Sequence, residues 1–280
     1  MATPRHKDSE EQPGSPRRLH RRMRANRLSR NRPRRQLPRV AVPSFFTLMN
    51  LFCGFIAITQ IHDDQFDIAC YMIVLAGFFD LLDGMMARLT KGQSLFGVEL
   101  DSLSDAVSFG VAPAYLVYAF GLKEFGVFGL IVSALPALCS AVRLARFNVA
   151  FNGEHREDFE GLPTPAQALC IVALILNVND GGALYRFSLA DPSMLMPIVF
   201  VLSALMVSTV PFDSVPKMTA HYIRAHPRKA LAYLMAAVTI IVFRQLGLLV
   251  VFGAYITFCV GYALFRIVRT ILETPPDPPD

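Results

Sequence analysis

The sequence predicts an all-α integral membrane protein, a polytopic helix bundle of about eight transmembrane helices. Three observations carry this. The chain has 280 residues, 53% of them hydrophobic, with a positive mean hydropathy. Apolar runs long enough to approach or reach a bilayer crossing recur from residue 44 to residue 269. Much of the positive charge is gathered outside those runs, as it is where basic ends fix the orientation of helices. The hydrophobic fraction alone would also suit a soluble protein, so the uncharged runs decide.

Residues 1–40 come first and hold Arg17, Arg18, Arg21, Arg22, Arg24, Arg34, Arg35 and further basic residues. Such a run could bind nucleic acid. A membrane domain follows directly, so the expectation is a disordered cytoplasmic tail attracted to anionic membrane lipids, with no nucleic-acid partner. Asp8, Glu10 and Glu11 argue against a transit peptide, and no charged-apolar-small pattern marks a removable signal.

Eight spans are expected, at about 44–61, 66–90, 97–120, 125–149, 164–179, 193–211, 229–244 and 247–269. Short connections such as His62-Asp63-Asp64-Gln65 and Gly121-Leu122-Lys123-Glu124 predict antiparallel neighbours. Pro113 predicts a kink in the third span. The five cysteines fall inside apolar runs without C-x-x-C spacing and read as small buried hydrophobes. With the N-terminus in the cytoplasm, the outer connections hold only Lys123, Arg186 and Arg244 of the 27 Lys and Arg residues. The loop near 212–229, with Lys217, Arg224, Arg228 and Lys229, then lies inside, as the positive-inside rule expects. Residues 270–280 read as a disordered cytoplasmic tail. The expected organisation is a tail at 1–40, a membrane domain at 41–211, additional helices at 212–269 and the short tail at 270–280.

Between the second and third spans the chain reads Asp80-x-x-Asp83-Gly84-x-x-Ala87-Arg88, then eight residues, then Gly97-x-x-x-Asp101-x-x-x-Asp105. Each charge at mid-bilayer costs about 2.5–3.5 kcal/mol, so four unpaired aspartates would cost roughly 10–14 kcal/mol. One arginine offsets one of them. Helical spacing puts Asp80 and Asp83 on one face and Asp101 and Asp105 on another, and the polar stretch between Arg88 and Gly97 reads as a turn. The two pairs can therefore face each other at the cytoplasmic ends of neighbouring helices. Clustered carboxylate oxygens suit hard divalent cations, and two such ions could clamp a phosphoryl group. From charge alone, a structural ion-pair cluster or a transporter's cation pathway would account for the same acids.

The glycines and the Ala-Arg pair add what carboxylates alone do not. The stretch resembles the signature of the CDP-alcohol phosphatidyltransferases, D-x2-D-G-x2-A-R-x8-G-x3-D-x3-D, with every specified position matched. The resemblance implies an integral membrane enzyme that attacks the diphosphate of a CDP-linked lipid with an alcohol and releases CMP. It implies two ions, Mg²⁺ or Mn²⁺, on Asp80, Asp83, Asp101 and Asp105, with Asp105 also the base for the attacking hydroxyl. Gly84 and Ala87 would let the nucleotide approach, Arg88 would pair with a phosphate, and Ser94 in the turn is a further nucleotide contact. Thr47 and Asn50, three apart in the first span, are either helix-packing polarity or contacts to the diphosphate. The resemblance favours the contacts.

Three further blocks, Ser108-Phe109-Gly110-Val111-Ala112-Pro113, Arg143-Leu144-Ala145-Arg146-Phe147-Asn148 and Gly161-Leu162-Pro163-Thr164-Pro165-Ala166, resemble the membrane-integral phosphatidylserine synthase branch of that family. This implies CDP-diacylglycerol and L-serine as substrates, a homodimer, and a bacterial inner-membrane location with the active site and both termini in the cytoplasm. Arg143 and Arg146 would bind the serine carboxylate or a lipid phosphate, because guanidinium pairs with both. Sister activities toward choline, inositol or glycerol phosphate are the nearest alternatives, and an ion-coupled transporter is a more distant one.

Overall fold

A computed structural model describes residues 37–90, 95–150, 161–179, 192–208 and 227–273. Ser94, the polar stretch 152–158, Arg186, Lys217, Arg224, most of the basic tail and residues 274–280 lie outside the described residues. The described residues form helices and turns, with no strand among them. The helices are α1 (Leu37–His62), α2 (Phe66–Thr90), α3 (Leu95–Asp105), α4 (Ala112–Phe120), α5 (Gly126–Ala150), α6 (Thr164–Val178), α7 (Leu195–Val207) and α8 (Pro227–Glu273).

Among the described residues, four helical stretches are long and apolar enough to cross a membrane, Ser44–His62, Phe66–Leu89, Leu95–Phe120 and Leu122–Val149, and a fifth, Leu234–Tyr262, has the length and hydropathy but is interrupted at Arg244. The protein is an integral membrane protein whose described residues are helical apart from short turns. The first four stretches fall where the first four spans are expected. The fifth and sixth expected spans correspond to shorter apolar helices, Thr164–Val178 and Leu195–Val207. At 1.5 Å per residue, fifteen residues reach about 22 Å, less than the ~30 Å of bilayer hydrocarbon.

The seventh and eighth expected spans lie in α8. Its helical backbone breaks at Arg244, with φ 49° and ψ −116°. A methyl group added at Gly247 would collide with the Thr239 carbonyl and lie 2.9 Å from Ile240 Cα. In a straight helix, residues eight apart are separated by about 12 Å. The chain therefore folds back at Arg244, and α8 is a helical hairpin.

The turn between α1 and α2 shows how a short polar sequence stops a long apolar helix. Asp64 takes a left-handed conformation, φ 58°. Its N–H donates to Ile61 O at 3.1 Å, and the Gln65 N–H donates to Gln60 O at 2.8 Å. This is the Schellman pairing, with aspartate where glycine is usual.

Pro113 acts one step earlier in the chain than a simple kink. The residues before it, Ala106–Val111, form a π turn, and the Ala112 N–H reaches back to Val107 O. Proline has no N–H to donate, and its ring crowds the carbonyl four residues back. Widening the helix relieves that crowding.

Close packing brings α1 against the π turn. A Cβ at Gly54 would lie 2.8 Å from Ser108 Cα, so only glycine permits this approach. Small buried residues, Ala57, Ala69, Ala76 and Ala112, line the same core around Phe109, Leu116 and Ile171. In lipid such surfaces let helices meet by van der Waals contact and backbone proximity. All five cysteines are free thiols, and four of them are buried.

Candidate active site

The carboxylates meet where α2 ends and α3 runs toward the π turn. Asp80, Asp101 and Asp105 each present an oxygen, and these oxygens all lie within 4.8 Å of one another. Asp83, buried beside them, accepts a hydrogen bond from the Thr47 hydroxyl. The i, i+3 spacing on α2 and the i, i+4 spacing on α3 produce this convergence, as the sequence predicts.

Helix α1 supplies the polar wall. Asn50 Nδ2 donates to Asp105 Oδ1 at 3.0 Å. The backbone behind these side chains is held too. Ser104 Oγ donates to Thr47 O at 3.2 Å, and Ser108 Oγ donates to Asn50 O at 2.9 Å. Thr47, Asn50, Ser104 and Ser108 are all buried, so each bond is shielded from water. Asn50 Oδ1 is also buried and has no hydrogen-bond partner. A buried orphan acceptor is costly and calls for an explanation.

The donor set is all oxygen: three converging carboxylates, a fourth beside them and an unclaimed amide oxygen. Hard divalent cations prefer such ligands, so the residues fit a metal ion. Gly84 borders the cluster on α2. A Cβ there would meet only Arg88 Nη1, at 3.5 Å, with nothing else within 4 Å. This leaves open space on the glycine face. Arg88 is exposed, Ala87 is half-buried, and Ser94 lies outside the described residues.

The two arginines near the end of α5 have different surroundings. Arg143 is half-buried, and its Nη1 donates to Thr164 Oγ1 at 3.3 Å. Its Nε is buried without a partner, and the guanidinium lies near enough to Asp105 for their charges to attract. Arg146 is exposed and donates through Nη1 to Val207 O at 3.3 Å. That carbonyl is one of the last of α7, so Arg146 caps a helix end.

A family model described as CDP-alcohol phosphatidyltransferase matches residues 40–210, which includes every element of this site. The chain belongs to the CDP-alcohol phosphatidyltransferase family. Among relatives of this phosphatidyltransferase is the CDP-diacylglycerol–serine O-phosphatidyltransferase of Helicobacter pylori. It is 34% identical over 84% of this chain and 96% of its own length. The archaetidylserine synthase of Methanothermobacter thermautotrophicus is 36% identical over 65% of this chain and 73% of its own. The CDP-diacylglycerol–serine O-phosphatidyltransferase of Bacillus subtilis is 32% identical over 64% of this chain and 93% of its own.

Sequence reasoning on this phosphatidyltransferase missed the residues that hold the site together. Ser104 and Ser108 are four apart and pin α1, yet serines in apolar helices usually pass as packing residues. Gln167 is buried and donates to Ser203 Oγ at 3.2 Å, linking α6 to α7. Asn148 joins α5 to α3 through Ser102 and Glu99. The signal in the sequence was small polar residues at helical spacing on otherwise apolar faces. It marks a face, and the partner across from it comes only with the packing.

Proposed function

We propose that the protein transfers a phosphatidyl group from CDP-diacylglycerol to L-serine, giving phosphatidylserine and CMP. The observation that carries this is the aspartate cluster at facing ends of α2 and α3, in a chain matched along 84% of its length by a relative named for that reaction.

The serine hydroxyl oxygen bonds to the phosphorus that carries the diacylglycerol ester. The bond from that phosphorus to the bridging oxygen breaks, and CMP leaves with the electron pair. The hydroxyl proton passes to Asp105. Its carboxyl is a weak base for a hydroxyl, so it helps only as the proton departs in the transition state. Asn50 holds one Asp105 oxygen, which fixes the carboxyl and leaves the second oxygen to turn toward the acceptor. Two divalent ions, Mg²⁺ or Mn²⁺, on Asp80, Asp83, Asp101 and Asp105 would offset negative charge on the diphosphate and the departing CMP. The open side of Gly84 gives the nucleotide room near the helix backbone, and Arg88 supplies a cation for a phosphate. Ser94 would add a nucleotide contact. Arg143, with an unclaimed buried Nε, pairs with the serine carboxylate. Arg146 contributes a positive charge nearer the lipid phosphates.

The same reading includes eight membrane crossings. The two short helices and the hairpin in α8 support that count. Both termini and the site face the cytoplasm of a bacterial inner membrane, where a CDP-linked lipid and a soluble amino acid can meet. Two copies pair through their membrane helices. Residues 1–40 form the basic tail, residues 41–211 the transferase domain, residues 212–269 the added helices and residues 270–280 the second tail.

The test is CMP release by the purified full-length protein in mixed micelles. CDP-diacylglycerol is offered with serine, inositol, choline or glycerol 3-phosphate. Serine alone should support rapid release, chelation should abolish it, and added Mg²⁺ or Mn²⁺ should restore it. Preference for another alcohol would reassign the acceptor. Full activity in excess chelator would remove the metal ions from the reading.

A further inference from the structure

Asn148 lies near the end of α5, and its amide spans two residues of α3. The Ser102 hydroxyl donates to Asn148 Oδ1 at 3.0 Å, and Asn148 Nδ2 donates to Glu99 Oε2 at 3.1 Å. Glu99 and Ser102 are three apart and share a helix face. They flank Asp101 in the chain, on a face turned about 110° from the one bearing Asp101 and Asp105, at ~100° per residue. A single amide thus grips α3 at two points on one turn and leaves the carboxylates untouched. Two contacts on one turn restrain rotation of the helix about its axis, which one contact does not.

The opposite flank of α5 is held separately. Arg143 contacts Thr164, and Arg146 contacts the end of α7. Asn148 is five residues beyond Arg143, about 140° around the helix from it. The end of α5 therefore joins the aspartate-bearing helix on one side to the first turn of α6 and the end of α7 on the other.

We propose that Asn148 is a positioning residue that sets the rotation of α3, and with it the directions in which Asp101 and Asp105 face the cation. This rests on the reading of the aspartates as a metal site. Groups that orient metal ligands typically change metal affinity or activity by about 10–100-fold when altered. Asn148 acts through the helix and not on a carboxylate itself, so the lower end of that range applies.

The test exchanges donor and acceptor in the full-length protein in detergent. Mn²⁺ binding is followed by electron paramagnetic resonance titration, and the melting temperature is read with and without metal. Asn148→Asp sets a carboxylate against Glu99 and should weaken Mn²⁺ binding roughly 10-fold. Adding Glu99→Gln lets the new amide donate to the introduced carboxylate, while Ser102 still donates to its other oxygen. The double variant should recover binding to within about 3-fold of wild type. A merely structural bond would change the metal-free melting temperature and leave the Mn²⁺ affinity alone. Wild-type affinity in a folded Asn148→Asp protein, or no recovery in a folded double variant, overturns the proposal. If Asn148→Asp does not fold, Asn148→Ala takes its place, with weakened Mn²⁺ binding as support and unchanged binding as refutation. A wild-type protein that binds no Mn²⁺ would bring down the metal reading and this proposal together. Mn²⁺ binding without CMP release would bring down only the transferase reading.

Discussion

The two ends of the helix bundle use polar side chains in opposite ways. At the end where α2 begins, polar groups pair off. Asn179 Nδ2 donates to Asp67 Oδ1 at 2.8 Å, and Asn177 Nδ2 donates to Ala173 O at 2.7 Å and to Gln245 O at 3.0 Å. Gln245 Nε2 donates in turn to the Tyr71 hydroxyl at 3.1 Å, which ties the tip of the α8 hairpin to α2. About 20 Å along α2, by the rise of a helix over the residues from Asp67 to Asp80, the balance reverses. There, carboxylates converge, and Asn50 Oδ1 and Arg143 Nε are buried with no hydrogen-bond partner. Ser140 Oγ and Gln167 Oε1 are buried without a partner as well, each three residues along its helix from Arg143 or from Thr164, the residue Arg143 contacts. Unsatisfied groups concentrated at one end mark where a ligand completes the set.

Substitutions at the two ends should therefore separate activity from stability. The largest effect is expected at Asp105. Asp105→Asn removes the proposed base and a proposed metal ligand and should lower turnover by at least ~10²-fold in protein of normal melting temperature. Turnover within a few-fold of wild type would take Asp105 out of the chemistry and weaken the contrast at its strongest point.

Arg143→Lys comes next. A charged hydrogen bond is worth about 1.5–3 kcal/mol, so the serine KM should rise roughly 10- to 150-fold, with a smaller change for CDP-diacylglycerol. Arg146→Lys should stay within about 3-fold on both, because Arg146 is exposed and bonded to a helix-end carbonyl. Michaelis constants for both substrates in mixed micelles decide between them. A larger serine effect at Arg146 would reverse the assignment.

Asn50→Ala removes the bond that orients Asp105, and turnover should fall about 10-fold, the low end for a group supporting a metal ligand. The affinity for CDP-diacylglycerol should change little. If the lipid KM rises and turnover holds, Asn50 contacts the diphosphate instead.

The smallest effect on activity is expected at the paired end. Gln245→Ala removes a side-chain contact of a kind that averages about 0.6 kcal/mol between membrane helices. Unfolding measurements should detect that loss, while CMP release stays within about 2-fold. A substantial loss of activity without loss of stability would show that the two ends are coupled and that the far network is more than a fastening.

Much of the site was legible in the sequence. The four aspartates could be assigned to two helix faces because i, i+3 and i, i+4 neighbours are set by helix geometry alone. The polar stretch between Arg88 and Gly97, read as a turn, predicted that the two faces are neighbours. The first four membrane stretches were legible from hydropathy because bilayer thickness sets their length. The break between the seventh and eighth expected spans was legible too, at Arg244 between two apolar runs, and the non-helical backbone there and the crowding at Gly247 show that the chain reverses at that point.

The sequence by itself determined the membrane class, the helix faces and the aspartate constellation, because each follows from periodicity or composition over a few turns of chain. The tertiary structure decided which polar atoms are spoken for. Thr47 meets Asp83 across 36 residues, Asn50 meets Asp105 across 55, and Asn148 meets Ser102 across 46. Nothing local selects those partners. They follow from the close approach that Gly54 allows, from the π turn ahead of Pro113 and from the packing of α5 against α3. The same packing separated Arg143 from Arg146, two arginines three residues apart that the sequence treats alike. A hydrogen bond needs its partner within about 3 Å, and only the packed bundle sets distances that fine.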